Sequence, residues 1–221
     1  MLPAGLLQSL PIPQQVCEDI ALDFIVNLPS PHGYTNILVV VDRLTKYGHF
    51  IGLKLGFTSK SVAEAFISHI VEFHEFPKSI VSDKDRVFIN SFWQQLFKAQ
   101  GTTLKMSSSY HPQTDGQTKK LNKTLEMYLR CFVFNNPKSW FVMLSWAQFW
   151  YNSSLHHSIG MYPYKALFGH EPPSIIRYQI EPTYPISIQE TLQERDNVLQ
   201  QLKFNLQKAQ HYMKQHANKG G

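Results

Sequence analysis

The sequence predicts an α/β protein: a mixed five-stranded sheet flanked by helices, with a long polar helix appended at its C-terminal end. Two observations carry the prediction. Three strand-like runs follow one another between residues 17 and 53, and beyond them helical periodicity alternates with two shorter strand-like runs. A third observation bounds it: 221 residues, 43% apolar and 17% charged, suffice for one core plus an appendage and argue against general disorder.

In chain order, CEDIALDFIV (17 to 26) alternates, so that Ile20, Leu22, Phe24 and Val26 share one face and Asp23 points to the other. SPHG makes a turn, and NILVVVD (36 to 42), continuously apolar and β-branched, reads as a buried central strand. GHFIGL (48 to 53) completes a meander. Residues 61 to 76 change the period: Val62, Ala65, Phe66, Ile70 and Phe73 form a helical stripe, Ser61 and Glu64 fit a capping box, and Pro77 stops the helix. KSIVSD (78 to 83) is a fourth strand ending at Asp83, residues 90 to 100 a helix closed by Gly101, and TLKMS (103 to 107) a fifth strand. A polar loop then leads to a helix from about Gly116 to Phe132. SWFVMLSWAQFWY (139 to 151) is a core helix, and PYKALFG (163 to 169) a short one with a glycine stop. These elements divide the chain into an extended N-terminal linker (1–15), one α/β domain (16–170), and a proline-rich linker with a long polar helix (171–221).

A net charge of +5 and a pI near 9.1 favour a polyanionic partner. Cys17 and Cys131, far apart, make neither a disulfide framework nor a zinc pattern, and the histidines lack zinc spacing. No apolar run approaches the roughly 18 residues of a membrane span, and the first residues lack a signal-peptide pattern, so no membrane partner is expected. No small-molecule cofactor is expected either.

Asp23 and Asp83 stand out because two carboxylates at strand ends can hold one or two Mg²⁺ ions, which prefer hard oxygen ligands. A metal pair roughly 4 Å apart can activate an attacking oxygen and steady a leaving one at a phosphodiester. Turn formation or ion pairing is the competing reading, and Asp19, Asp42 and Asp85 share it.

Several motifs decide between these readings. DFIVNLP (23 to 29), ILVVVDRLTKYGHFI (37 to 51), SIVSDKDRVFINSFWQQLF (79 to 97), YHPQTDGQT (110 to 118), LNKTLEMYLR (121 to 130) and PYKALFG (163 to 169) resemble, in order and spacing, the integrase catalytic core of gypsy-type LTR retrotransposons. The resemblance implies a ribonuclease H-like fold in which the first and fourth strands are central neighbours. It also implies a three-carboxylate site binding Mg²⁺ or Mn²⁺, DNA end processing and strand transfer, homo-oligomers, double-stranded DNA as partner and a nuclear setting. The family's His/Cys zinc module would lie upstream of GLLQSLPIP and its small β-barrel downstream of the last helix.

By that resemblance Asp23 and Asp83 match the first two metal-binding carboxylates. Counting 35 intervening residues from Asp83 reaches position 119, where the family pattern QTDGQTE has glutamate and this chain has Lys119. The expectation is impaired catalysis and weakened metal binding, with Lys119 ion-paired to the aspartates. Glu126 lies two helical turns, about 10 Å, beyond that position, whereas Asp115 would need a flexible loop to approach. An active transferase using a displaced acid and a non-catalytic multimerisation module are the alternatives. DNA binding is independent of the missing acid: Tyr110, Pro112, Gln113, Gln117, Lys120, Asn122, Lys123 and Arg130 are the candidate DNA contacts, on the helix and loop that face DNA in the family.

Overall fold

Strand β1 (Asp19–Ile25) pairs antiparallel with β2 (Tyr34–Asp42), and β2 with β3 (Gly48–Lys54), as the meander requires. In this computed structural model the described residues are 11–106, 112–133, 137–173 and 185–190, with a few single positions up to 204. After the helical segment that follows β3, the chain returns as β4 (Ser79–Ser82), parallel to β1, and then as β5 (Thr103–Met106), parallel to β4. The order is β3-β2-β1-β4-β5, so the first and fourth strands adjoin near the centre of the sheet.

Two apolar layers sandwich the sheet. On one face Ile20, Leu22, Leu38, Val40 and Ile51 meet helix α1 (Ser59–Phe66) and helix α4 (Ser91–Ala99), with Phe66, Trp93 and Phe97 fully buried between them. On the other, Ile25, Val39 and Val41 meet α5 (Pro112–Phe132) and α6 (Trp140–Asn152) through Leu121, Leu125, Tyr128, Trp140 and Leu144. Burying such a side chain contributes about 1.5–3 kcal/mol, so these layers supply most of the stabilisation. The aromatic segment 139–151 is accordingly a helix inside this core, and α7 (Pro163–Phe168) ends at Gly169 in the left-handed conformation.

The first helix departs from its expected form. Thr58 is the N-cap, and Ser61, not Glu64, completes the capping box. The helix widens into a π turn (Ile67–Val71) before the short α2 (Glu72–His74). The π turn takes more residues per turn, so the apolar stripe rotates after Ile70 and Phe73 ends 69% exposed. Glu75, at φ 65° and ψ −177°, stops the helix two residues before Pro77. Val26 lies beyond the end of β1 and is exposed. A short helix α3 (Arg86–Ile89) was not foreseen. Positions 186–190 are helical, and most of the remaining C-terminal segment falls outside the described residues.

The margin of the sheet at β3 is closed by side chains of α6. Asn152 accepts from the Gly48 N–H and donates to the Gly48 carbonyl, both at 2.8 Å, and Gln148 accepts from the Phe50 N–H at 2.8 Å. Two amides one helical turn apart thus match alternate residues of a strand. Gly52 brings α6 closer still: a Cβ there would lie 2.4 Å from the Phe141 ring, which stacks on Tyr34 at 3.9 Å. Gly52→Ala must displace that stacked ring, and thermal or urea unfolding is expected to show a loss of about 1–3 kcal/mol.

Candidate functional site

Leu22 pairs with Ser82 at the end of the β1–β4 ladder, so Asp23, still within β1, and Asp83, the first residue past β4, each follow directly on the last paired residues of the two strands. Asp23 faces the α5 layer, as its cross-strand partner Val39 does. Its carboxylate is held at both oxygens: Oδ1 accepts from the Phe24 N–H at 2.8 Å, and Oδ2 from the Asn122 side-chain amide at 2.9 Å. Asp83 Oδ1 accepts from the Asp85 N–H at 3.0 Å, which shapes the turn leaving β4. Both aspartates are half-buried. An open depression of about 600 Å³ runs along the Asp83 side, lined by Phe57, Lys84, Asp85, Arg86 and Val87.

The competing aspartates have structural work. Asp85 is the N-cap of α3, accepting from Val87. Asp19 pairs with Arg43 at 3.4 Å and accepts from Ser79. Asp42, 2% exposed, accepts from the N–H of Cys17 and Thr45 and from the Thr45 hydroxyl. Of these acids, Asp23 is the one bonded to α5, through Asn122, and Asp83 lies just past the β4 residue that pairs beside it.

Helix α5 begins at Pro112, not near Gly116. Proline suits the first helical turn, where its missing N–H is no loss, and one interior glycine costs about 1 kcal/mol without ending a helix. The segment read as a flexible loop is therefore helical from Pro112, and Asp115 occupies a helical position one turn before Lys119. Leu121, Leu125, Tyr128 and Leu129 bury the core face of α5, while Thr118 (5% exposed) and Asn122 (8% exposed) are buried beside them. Lys119, Lys123 and Arg130 are exposed, at spacings that keep them on one flank of the helix. Arg130 pairs with Glu126 at 3.7 Å, and both line a separate groove with residues 25–29 and Trp140. Glu126 is thereby committed away from the two aspartates.

Asn122 is where sequence reasoning and structure differ most in emphasis. Taken from the sequence as a DNA contact, it is buried, with its amide donated to Asp23 and its Oδ1 without a hydrogen-bond partner among the described residues. No local pattern in the sequence signalled its role at Asp23, which depends on α5 lying over β1. Tyr110 lies outside the described residues, as do the side chains of Pro112, Gln113, Gln117 and Lys120.

Could this set hold a divalent cation? Among the described residues no three His, Cys, Asp or Glu side chains converge. The Asn122 amide nitrogen donates to Asp23, and one helical turn before Asn122 stands the exposed Lys119. Divalent magnesium favours several oxygen ligands and negative charge. Among the described side chains the oxygen donors are two carboxylates that already accept protein N–H groups, with Lys119 on the helix that crosses β1, which is short of the oxygens such an ion favours.

Comparisons with known proteins agree with this architecture. No family model matches the chain. The Transposon Tf2-3 and Tf2-4 polyproteins of Schizosaccharomyces pombe are each 31% identical over 204 residues, covering 92% of the chain and 15% of the polyprotein. The chain thus spans about 15% of the length of the curated relatives it matches. A simian T-cell lymphotropic virus intasome in complex with PP2A regulatory subunit B56 gamma superposes with a TM-score of 0.60 at 16% identity, over 84% of this chain and 65% of that one. The HTLV-2 integrase catalytic core domain in complex with magnesium superposes with a TM-score of 0.56 at 14% identity, over 68% and 96%. Related over 92% of its length to retrotransposon polyproteins and folded like retroviral integrase catalytic cores, the chain is an integrase-core homologue with a ribonuclease H-like fold.

Proposed function

We propose that this integrase-core homologue binds double-stranded DNA along α5 and is impaired in cutting and joining it. The observation that supports the reading is Asp23, next to the end of the β1–β4 ladder that Asp83 follows, held by Asn122 of a helix whose exposed flank carries Lys119 and Lys123. Strand transfer by the family needs three metal-binding carboxylates, and at the third position the side chain is cationic. A lysine cannot donate an oxygen to a metal and repels it. The same lysine attracts a backbone phosphate, so DNA affinity outlasts the chemistry. By relationship, Mg²⁺ or Mn²⁺ would be the metal, copies of the chain the assembly partners and the nucleus the setting.

Duplex binding of this kind is electrostatic and indifferent to base sequence. With three phosphate contacts, affinity is expected to fall about 50-fold between 50 and 200 mM salt, with little change between unrelated duplexes. Fluorescence anisotropy with a labelled duplex measures both, and a strand-transfer assay in Mn²⁺ run beside it is expected to show no product. Absence of binding by micromolar protein at low salt would refute the DNA reading, and efficient strand transfer the impairment.

A further inference from the structure

We infer that Lys119 makes DNA binding by this chain independent of divalent metal, its ammonium taking the place of a bound cation as the phosphate anchor at the aspartate pair. The inference rests on the proposed duplex binding and extends it to a residue and a condition.

Two like-charged carboxylates at the floor of a phosphate-binding surface repel the ligand unless something offsets them. Three features of this site do so. Asp23 is satisfied at both oxygens by the Phe24 N–H and the Asn122 amide, and Asp83 by the Asp85 N–H, so protein donors already spread their charge. Lys119 sits one helical turn before Asn122, which places its Cβ about 5–6 Å from that of the residue bonded to Asp23. It is exposed, while Thr118 and Asn122 are 5% and 8% exposed, so among the described side chains of this turn the lysine is the cation open to an approaching phosphate. The three charged groups then sum to about −1, against −3 with a glutamate at position 119. Lys123, exposed one turn further on, extends the positive flank.

The test compares duplex binding by anisotropy at about 50 mM salt in EDTA and in Mg²⁺. For the unaltered chain the two dissociation constants are expected to agree within about twofold. In EDTA, Lys119→Ala is expected to weaken binding about fivefold and to reduce the salt slope by about one, the signature of one lost phosphate contact. Lys119→Glu is expected to weaken it at least about 20-fold, and Lys119→Arg to keep it near the parent value. The position is exposed, and circular dichroism checks that each variant is folded. A parent chain that loses tenfold or more of its affinity in EDTA overturns the inference, as does a Lys119→Ala variant with unchanged affinity and salt slope. A parent chain that binds no duplex in either medium instead overturns the underlying DNA-binding reading.

Discussion

Lys119→Glu is expected to bind Mn²⁺ about a hundredfold more tightly than the parent chain by isothermal titration calorimetry. The substitution changes the site by two charge units facing a divalent ion, equivalent to four unit-charge interactions. Each is worth about 1 kcal/mol at 4 Å in bulk water, and solvent and salt cut the sum for an exposed side chain such as this one. A net gain of about 2.7 kcal/mol, a hundredfold, is what survives that screening. The new carboxylate also supplies an oxygen ligand of the type Mg²⁺ and Mn²⁺ prefer. Lys123→Glu is the control: it makes the same charge change one turn further along the helix, and should alter Mn²⁺ affinity by less than about fivefold. If Lys119→Glu leaves metal affinity unchanged, the third ligand position has been misplaced.

The largest stability effect is expected at Asp42, far from that chemistry. Its carboxylate is 2% exposed and accepts from the Cys17 N–H at 3.1 Å, the Thr45 N–H at 2.9 Å and the Thr45 hydroxyl at 2.5 Å. It therefore ties the approach to β1 to the β2–β3 turn. Burial and the Asp42 charge together push the Cys17 thiol up to about 12, which keeps it neutral beside the carboxylate. Asp42→Ala leaves buried donors with no acceptor, each costing about 1–3 kcal/mol. Partial relaxation brings the expected loss to about 3–4 kcal/mol, or roughly 10 °C in melting temperature for a chain of this size. Glu64→Ala removes a solvent-exposed ion pair to Lys60 and should cost less than about 0.5 kcal/mol. A similar small loss for Asp42→Ala would refute the structural role assigned to it.

Much of the fold was readable because β-strands announce themselves locally. Alternation marked β1, the β-branched run marked β2, and the adjacency of β1 and β4 followed from the family resemblance. At the site, spacing alone left Asp23 and Asp83 open to a turn-forming or ion-pairing reading, and the family resemblance singled out these two and position 119. What escaped reading depends on nonlocal geometry or on small conformational preferences. Polar residues around Gly116 look like loop, yet Pro112 opens a helix through them, and this moves Asp115 from a mobile position to a helical one. The π turn has no composition signature, and it alone turned Phe73 from core to surface. Asn122 binds Asp23 across 99 residues of sequence, and no local pattern encodes a contact of that range.

The amides of Gln148 and Asn152 carry one more consequence. They occupy the outward backbone groups of Gly48 and Phe50, which would otherwise be a template for another strand. Addition of another strand is therefore opposed along the first part of β3, where these backbone groups are already taken.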